Sequence, residues 1–312
     1  MGAVGVGLLG CGAVGSAVAR RLGRAADVRV AAVAVRRPEL ERSCPLPDRV
    51  VDDPLAVVED ASVDVVVEVM GPLDASYAAV LRAIELGKPV VTANKALLAA
   101  AGPELRARAR AARVPLRFEA AVGGGVPVVG ALEALAAGDR IVRVEGVLNG
   151  TVTFVLSRME AGDSYEDAVL AAKSAGYAEA DPSRDLSGLD AADKVAVLAQ
   201  LAFGTPTSAS EVDVLGIDWL RGDDIDNAAA KGKRWRLVGV ASAAGCRRVE
   251  PVLFDEGHPF ARLGSVENAV AITTEHTGTV WLSGFGAGGE ATATAVVGDL
   301  ASLAGGLAVS AP

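Results

Sequence analysis

Val4-Gly-Val-Gly-Leu-Leu-Gly-Cys-Gly-Ala-Val-Gly-Ser-Ala-Val-Ala-Arg-Arg-Leu22 sets three pieces in one order near the start of the chain. Val4 to Leu9 is a short apolar run of strand character, Gly10-Cys-Gly-Ala-Val-Gly15 is a G-x-G-x-x-G loop, and Ser16 to Leu22 has helical spacing. In a dinucleotide-binding turn the first glycine makes a tight bend and the second lets the backbone approach a pyrophosphate. The third lets the helix pack closely on the strand. Those roles fall to Gly10, Gly12 and Gly15, while Ala13 and Val14 lead into the helix whose N-terminus presents N–H groups to phosphate. Glycines alone are a weak signal in a chain rich in Ala and Gly; the strand before and the helix after carry the reading.

Working outward, Val28 to Val35 is a second apolar strand. An acid often follows such a strand to hold the adenosine ribose of NAD, but this chain has Arg36-Arg37-Pro38. Two guanidiniums suit a 2′-phosphate, so the expected preference is NADP, with NAD possible. The other reading is two solvated arginines at a strand end. The alternation continues through Val63–Val69, a helix over 75–86, Val90–Thr92, a helix over 96–112 and Val114–Glu119. Strands alternating with helices predict an α/β fold with a Rossmann-like, doubly wound parallel sheet. Ligands bind such sheets beyond the carboxyl ends of the strands, where Glu68, Met70, Gly71, Thr92, Lys95 and the run from Glu119 to Pro127 fall. Lys95 could reach cofactor or substrate there, or could equally be a surface lysine at a helix start.

A second concentration of polar chemistry is Gly176-Tyr-Ala-Glu-Ala-Asp-Pro-Ser-Arg-Asp-Leu-Ser-Gly-Leu-Asp-Ala-Ala-Asp-Lys194, with five carboxylates and a terminal lysine. Leu189, Val195, Leu198 and Leu201 give its last part a helical apolar spacing, which sets Asp190 and Lys194 on one face, one turn apart. Glu179 and Asp181 come from the loop before it. Carboxylates beside a lysine suit a substrate with an ammonium group and an oxygen that gains or loses a proton. On spacing alone, a surface ion pair explains Asp190 and Lys194 as readily.

Composition narrows the classes. Net charge is −9, and no basic patch stands out beyond Arg106 to Arg113, which reads as one helix face, so no nucleic-acid partner is expected. Hydrophobic residues make up 51% of the chain, yet no unbroken apolar stretch has the length of a membrane span, and no leader is expected before the first strand. The expectation is a cytoplasmic protein with no membrane partner. Three cysteines without C-x-x-C spacing argue against a disulfide framework or structural zinc, and only two histidines, both in turn-like settings, disfavour a His–Asp base.

The expected organisation is a dinucleotide-binding domain over 1–127 and an α+β substrate-binding and dimerisation domain over 128–284. A loop and helix over 285–312 would then return to the first domain. Helices over 151–161, 165–175 and 188–203 precede strands near 235–241, 248–253, 268–274 and 279–282, which suggests a sheet covered on one side by helices.

Taken in order, Gly10–Gly15, Glu68-Val-Met-Gly71, Thr92-Ala-Asn-Lys-Ala-Leu-Leu98, Phe118–Pro127, Gly146-Val-Leu-Asn-Gly-Thr151, Gly176–Pro182 with Asp190 and Lys194, and Gly284-Phe-Gly-Ala-Gly-Gly289 resemble the homoserine dehydrogenase family. They cover essentially the whole chain. The resemblance implies NAD(P)-dependent interconversion of L-aspartate 4-semialdehyde and L-homoserine, towards threonine, isoleucine and methionine. It makes Lys194 the general acid/base with Lys95 assisting, and Glu179 and Asp190, beside Gly176 and Tyr177, the substrate-holding groups. It also implies cofactor contacts from Met70, Gly71, Thr92, Lys95 and Gly286. A monovalent cation, Na+ or K+, would sit on Glu119 and the carbonyls of Val122, Gly124 and Val126. The family also points to a homodimer.

Two departures stand out. Gly150-Thr-Val-Thr-Phe154 commonly reads Gly-Thr-Thr-Asn-Phe in the family, and longer relatives carry a C-terminal regulatory domain, so no feedback through such a domain is expected. The rival readings are another Rossmann dehydrogenase acting on an amino-acid-like aldehyde or imine, and a non-catalytic NADPH-binding sensor.

Overall fold

The computed structural model describes residues 3–42, 44–178 and 180–303. Two compact units divide the chain: residues 1–121 together with 288–312, and residues 122–287.

In the first unit, β1 (Val4–Leu9), β2 (Val28–Ala34), β3 (Val50–Val51), β4 (Val65–Glu68), β5 (Val90–Thr92) and β6 (Leu116–Arg117) form one parallel sheet in the order β3-β2-β1-β4-β5-β6. The helices between them are α1 (Ala13–Leu22), α2 (Pro54–Val58), α3 (Leu73–Glu85) and α4 (Lys95–Ala112). Strands buried on both faces read as continuous valine and alanine runs, and successive residues go to opposite layers. Val6, Leu8, Val65 and Val67 pack with Ala17, Val18 and Leu22 of α1 and with Val296 and Leu300 of the closing helix, Gly289–Leu303. Leu9, Val66 and Val90 face the other way, onto Val57, Val80, Ile84, Leu97 and Leu105. That division is the doubly wound arrangement expected from the alternation. The closing helix lies along α1, where Glu290 pairs with Arg20 (2.8 Å) and Arg21 (3.2 Å).

The second unit is α5 (Val128–Gly138), β7 (Ile141–Val147), α6 (Gly150–Glu160), α7 (Tyr165–Ser174), α8 (Ser183–Leu186), α9 (Leu189–Phe203), β8 (Asp213–Val214), α10 (Gly222–Ala229), β9 (Lys233–Ser242), β10 (Arg247–Asp255), β11 (Glu267–Thr274) and β12 (Thr279–Phe285). Its sheet runs β12-β11-β7-β9-β10-β8, antiparallel except for the β8–β10 pair. Gly239 of β9 brings α9 close, since a Cβ there would stand 2.5 Å from a Val195 methyl. The opposite face is apolar too: Val147, Val238, Val240, Ala269 and Ala271 pack with Phe260 and Leu263. Among the described residues no helix is long and apolar enough to cross a membrane.

Candidate active site

The glycine loop fits a dinucleotide on backbone geometry alone. Gly10 has φ +99°, and a Cβ on it would lie 2.8 Å from the Val69 carbonyl oxygen. A Cβ on Gly15 would lie 2.2 Å from the Gly10 oxygen, so only glycine lets α1 start this close to β1. Gly12 is different: a Cβ there would meet nothing within 4 Å, and no side chain caps the helix it opens. The space left open at Gly12 and the uncapped N-terminus of α1 are what a pyrophosphate needs. Gly10, Gly12, Arg36, Arg37, Met70 and Gly71 all line one groove of about 740 Å3, with Ala13 and Val14 in the first turn of α1 beside it.

The adenosine end of that groove departs from the sequence expectation in two ways. Asp52 lines it, supplying a carboxylate that was not found after β2. The reason is register: β3 pairs parallel with β2, Val33 with Val50 and Ala34 with Val51, so the residue after β3 arrives at the same sheet edge. Arg42 lines it as well and braces the arginine loop, donating to the carbonyls of Leu40 (2.6 Å) and Arg37 (2.9 Å). Cys11 faces Cys44 across the loop, with the sulfurs 3.5 Å apart and the Cys11 thiol pushed up chiefly by burial.

Beneath Met70 lies a buried polar network that the sequence did not announce. Glu68, fully buried at the end of β4, accepts from Met70 N–H (2.7 Å), Ser76 Oγ (3.0 Å) and Thr92 Oγ1 (2.6 Å). Thr92 thus spends its hydroxyl inside the unit. Asn94 donates to Ser76 Oγ (3.1 Å) and caps α4 through the Leu97 N–H (3.1 Å), which places Lys95 in the first turn. Burial raises the Glu68 pKa, and the hydrogen bonds from Thr92, Met70, Ser76 and Asn94 work against that rise.

In the second unit, Lys194 and Asp190 are brought together away from solvent, their side chains 12% and 14% exposed. Lys194 Nζ donates to Asp190 Oδ2 at 2.7 Å and to the Leu148 carbonyl at 2.6 Å. This is no surface ion pair, and the carboxylate is turned to the lysine. Asn149, the N-cap of α6, accepts the Val152 N–H (2.9 Å) and donates from Nδ2 to Asp185 (2.7 Å) and Asp190 (2.9 Å). Asn149 and Asp185 had no role in the sequence reading. An asparagine opening a helix was visible in Leu148-Asn-Gly-Thr151, but its two acidic partners lie 36 and 41 residues away. Tyr177 stands against Phe154 (ring centroids 5.1 Å), and its carbonyl accepts Thr151 Oγ1 at 2.7 Å. Gly176, with φ +74°, makes the turn before it. Thr153 returns its hydroxyl to the Asn149 carbonyl (3.0 Å). Glu179 lies outside the described residues.

Glu119 sits in a short 3-10 turn of the first unit, with its N–H on Asp299 Oδ2 (2.9 Å). Val122, Gly124 and Val126 belong to the second unit, where the Val126 carbonyl already accepts the Val128 N–H (2.8 Å). Gly124 packs on the backbone of Gly286, which in turn lies against the Asn268 amide.

Comparison with known proteins finds two family profiles that match the chain. A profile described as homoserine dehydrogenase matches residues 127–301, and one described as homoserine dehydrogenase, NAD binding domain, matches 10–119. The homoserine dehydrogenase of Mycobacterium leprae is 43% identical, over 96% of this chain and 72% of its own length. A homoserine dehydrogenase crystal structure from Thiobacillus denitrificans superposes with TM-score 0.85 at 38% identity, covering 95% of this chain and 72% of that one. A hyperthermophilic archaeal homoserine dehydrogenase in complex with NADPH gives TM-score 0.81 at 27% identity, over 99% and 98% of the two chains.

Proposed function

Because this chain belongs to the homoserine dehydrogenase family, we propose that Lys194 is the group that exchanges a proton with the substrate's reacting oxygen. The chain is an NAD(P)-dependent oxidoreductase acting on a CH–OH group, interconverting L-homoserine and L-aspartate 4-semialdehyde. When bound, the nicotinamide supplies or accepts the hydride. Carbonyl reduction builds negative charge on oxygen, which a held ammonium offsets and then neutralises by proton transfer. An ammonium has three N–H donors; Lys194 gives two to Asp190 and Leu148, and among the described residues the third is uncommitted. That two-point hold on a nearly buried lysine is the observation that carries the proposal. Lys95, in the first turn of α4, assists, while Glu179 and Asp190, with the backbone at Gly176 and Tyr177, take the substrate's ammonium and other polar groups.

Arg36 and Arg37 favour NADP over NAD, since both line the groove with no ion pair to another described residue. The NADPH held by the archaeal relative supports the same preference. Oxygen donors from Glu119 and the carbonyls of Val122, Gly124 and Val126 suit a hard monovalent cation, sodium or potassium. A homodimer would form on the sheet face of the second unit that exposes Trp281 (41%) and Phe285 (63%). Sedimentation of a Trp281→Glu/Phe285→Glu variant should then report a monomer, and an unchanged dimer would reject that face.

The reaction and cofactor are tested by following reduced cofactor while the chain meets L-homoserine with NADP+ and then NAD+. Faster turnover with NADP+ is expected. Turnover with NAD+ alone removes the arginine reading, and none with either, in sodium or potassium, removes the proton-transfer proposal.

A further inference from the structure

Asn149 follows directly on the carbonyl that holds Lys194, and its side chain is fully committed. It is 4% exposed; Oδ1 accepts from Val152, and the single Nδ2 joins Asp185 to Asp190. Asp190 Oδ2 is therefore shared between the Asn149 amide and the Lys194 ammonium. Asp185 comes from α8 and Asp190 from α9, so one neutral nitrogen ties two like charges from two helices.

Capping α6 does not need asparagine, because serine and aspartate cap equally well. Only asparagine adds two donors: serine would leave the acids unlinked, and aspartate would place a third carboxylate beside them. We infer that Asn149 is a positioning residue of the reaction, setting the spacing of Asp185 and Asp190 and through Asp190 the aim of Lys194. This rests on the proton-transfer role assigned to Lys194 above. The amide has no proton to lose near neutrality, so it holds the acids without titrating.

The test uses the full chain as Asn149→Ser and Asn149→Asp, with Asn149→Ala and Lys194→Ala alongside. Melting temperature, NADPH affinity, kcat and the KM for L-homoserine are measured for each. Serine keeps the cap and should melt nearest the parent, whereas alanine loses the cap and aspartate sets a third carboxylate against the pair, so both should melt lower. With cofactor affinity unchanged, kcat should fall roughly tenfold to a hundredfold for serine, as expected for lost hydrogen bonds to charged groups. It should fall further for aspartate. Parental kcat in both capped variants, with or without a raised KM, overturns the inference and leaves Asn149 a helix cap. If Lys194→Ala is inactive in that case, the role of Lys194 stands and only the positioning role fails. If Lys194→Ala also turns over normally, the reading beneath both is lost.

Discussion

The glycine loop of the first unit and the lysine site of the second are built on opposite plans. At the loop, Gly10, Gly12 and Gly15 act by lacking side chains, within six consecutive residues, so backbone does the holding. At the lysine, each functional side chain is held by another segment: Lys194 by Leu148, Asp190 by Asn149, and Asn149 by Asp185. A backbone-built site tolerates loss of side chains but not addition of a methyl. A side-chain-built site fails when any one partner is shortened.

The sharpest way to break this contrast is Lys194→Ala. Homoserine turnover should fall about 10²–10⁴-fold, the usual worth of a positioned acid/base. A loss below a few-fold would return the lysine to a structural role. Next in size, Arg36 and Arg37 replaced together by serine should weaken NADPH about a hundredfold and NADH little, since charge-assisted hydrogen bonds to phosphate are lost. Equal losses for both cofactors would show that these arginines do not read the 2′-phosphate. Asp52→Asn should move the ratio the other way, raising the NADP+ over NAD+ preference about fivefold, as removing one exposed charge near a phosphate allows. An unchanged ratio would place Asp52 out of reach.

The first plan was legible in the sequence because spacing encodes it. Alternating valine runs and the glycine loop gave the parallel sheet, and Asp190 and Lys194 met as their four-residue interval requires. What stayed hidden depended on distant pairing. The two-residue β3 is too short to carry a period, so the arrival of Asp52 beside Arg36 was not visible. Asp185 lies in a four-residue helix with no periodic signal and meets Asn149 only in the fold. Ser76 and Asn94 likewise meet Glu68 from separate segments.

The smallest effect expected is at Glu68. Its carboxyl is raised by burial, so the folded state binds that proton more tightly than the unfolded chain does. The stability this contributes is complete below the ordinary value of 4.5 and is lost as pH rises through the folded-state value. Glu68→Gln cannot titrate, so its melting temperature relative to the parent should improve between about pH 5 and about pH 8. A gap independent of pH would show that Glu68 keeps one charge state throughout.

Cofactor hold lies at the glycine loop and proton transfer at Lys194, and one titration examines that separation. NADPH is added to the parent, to Gly12→Ala and to Lys194→Ala, and its fluorescence gives three affinities. The methyl of Gly12→Ala meets no protein atom within 4 Å, so the fold should survive while the approach to the pyrophosphate is blocked. About tenfold weaker binding is expected for Gly12→Ala, and parental affinity for Lys194→Ala. Parental affinity in Gly12→Ala, or a matching loss in Lys194→Ala, would contradict that separation.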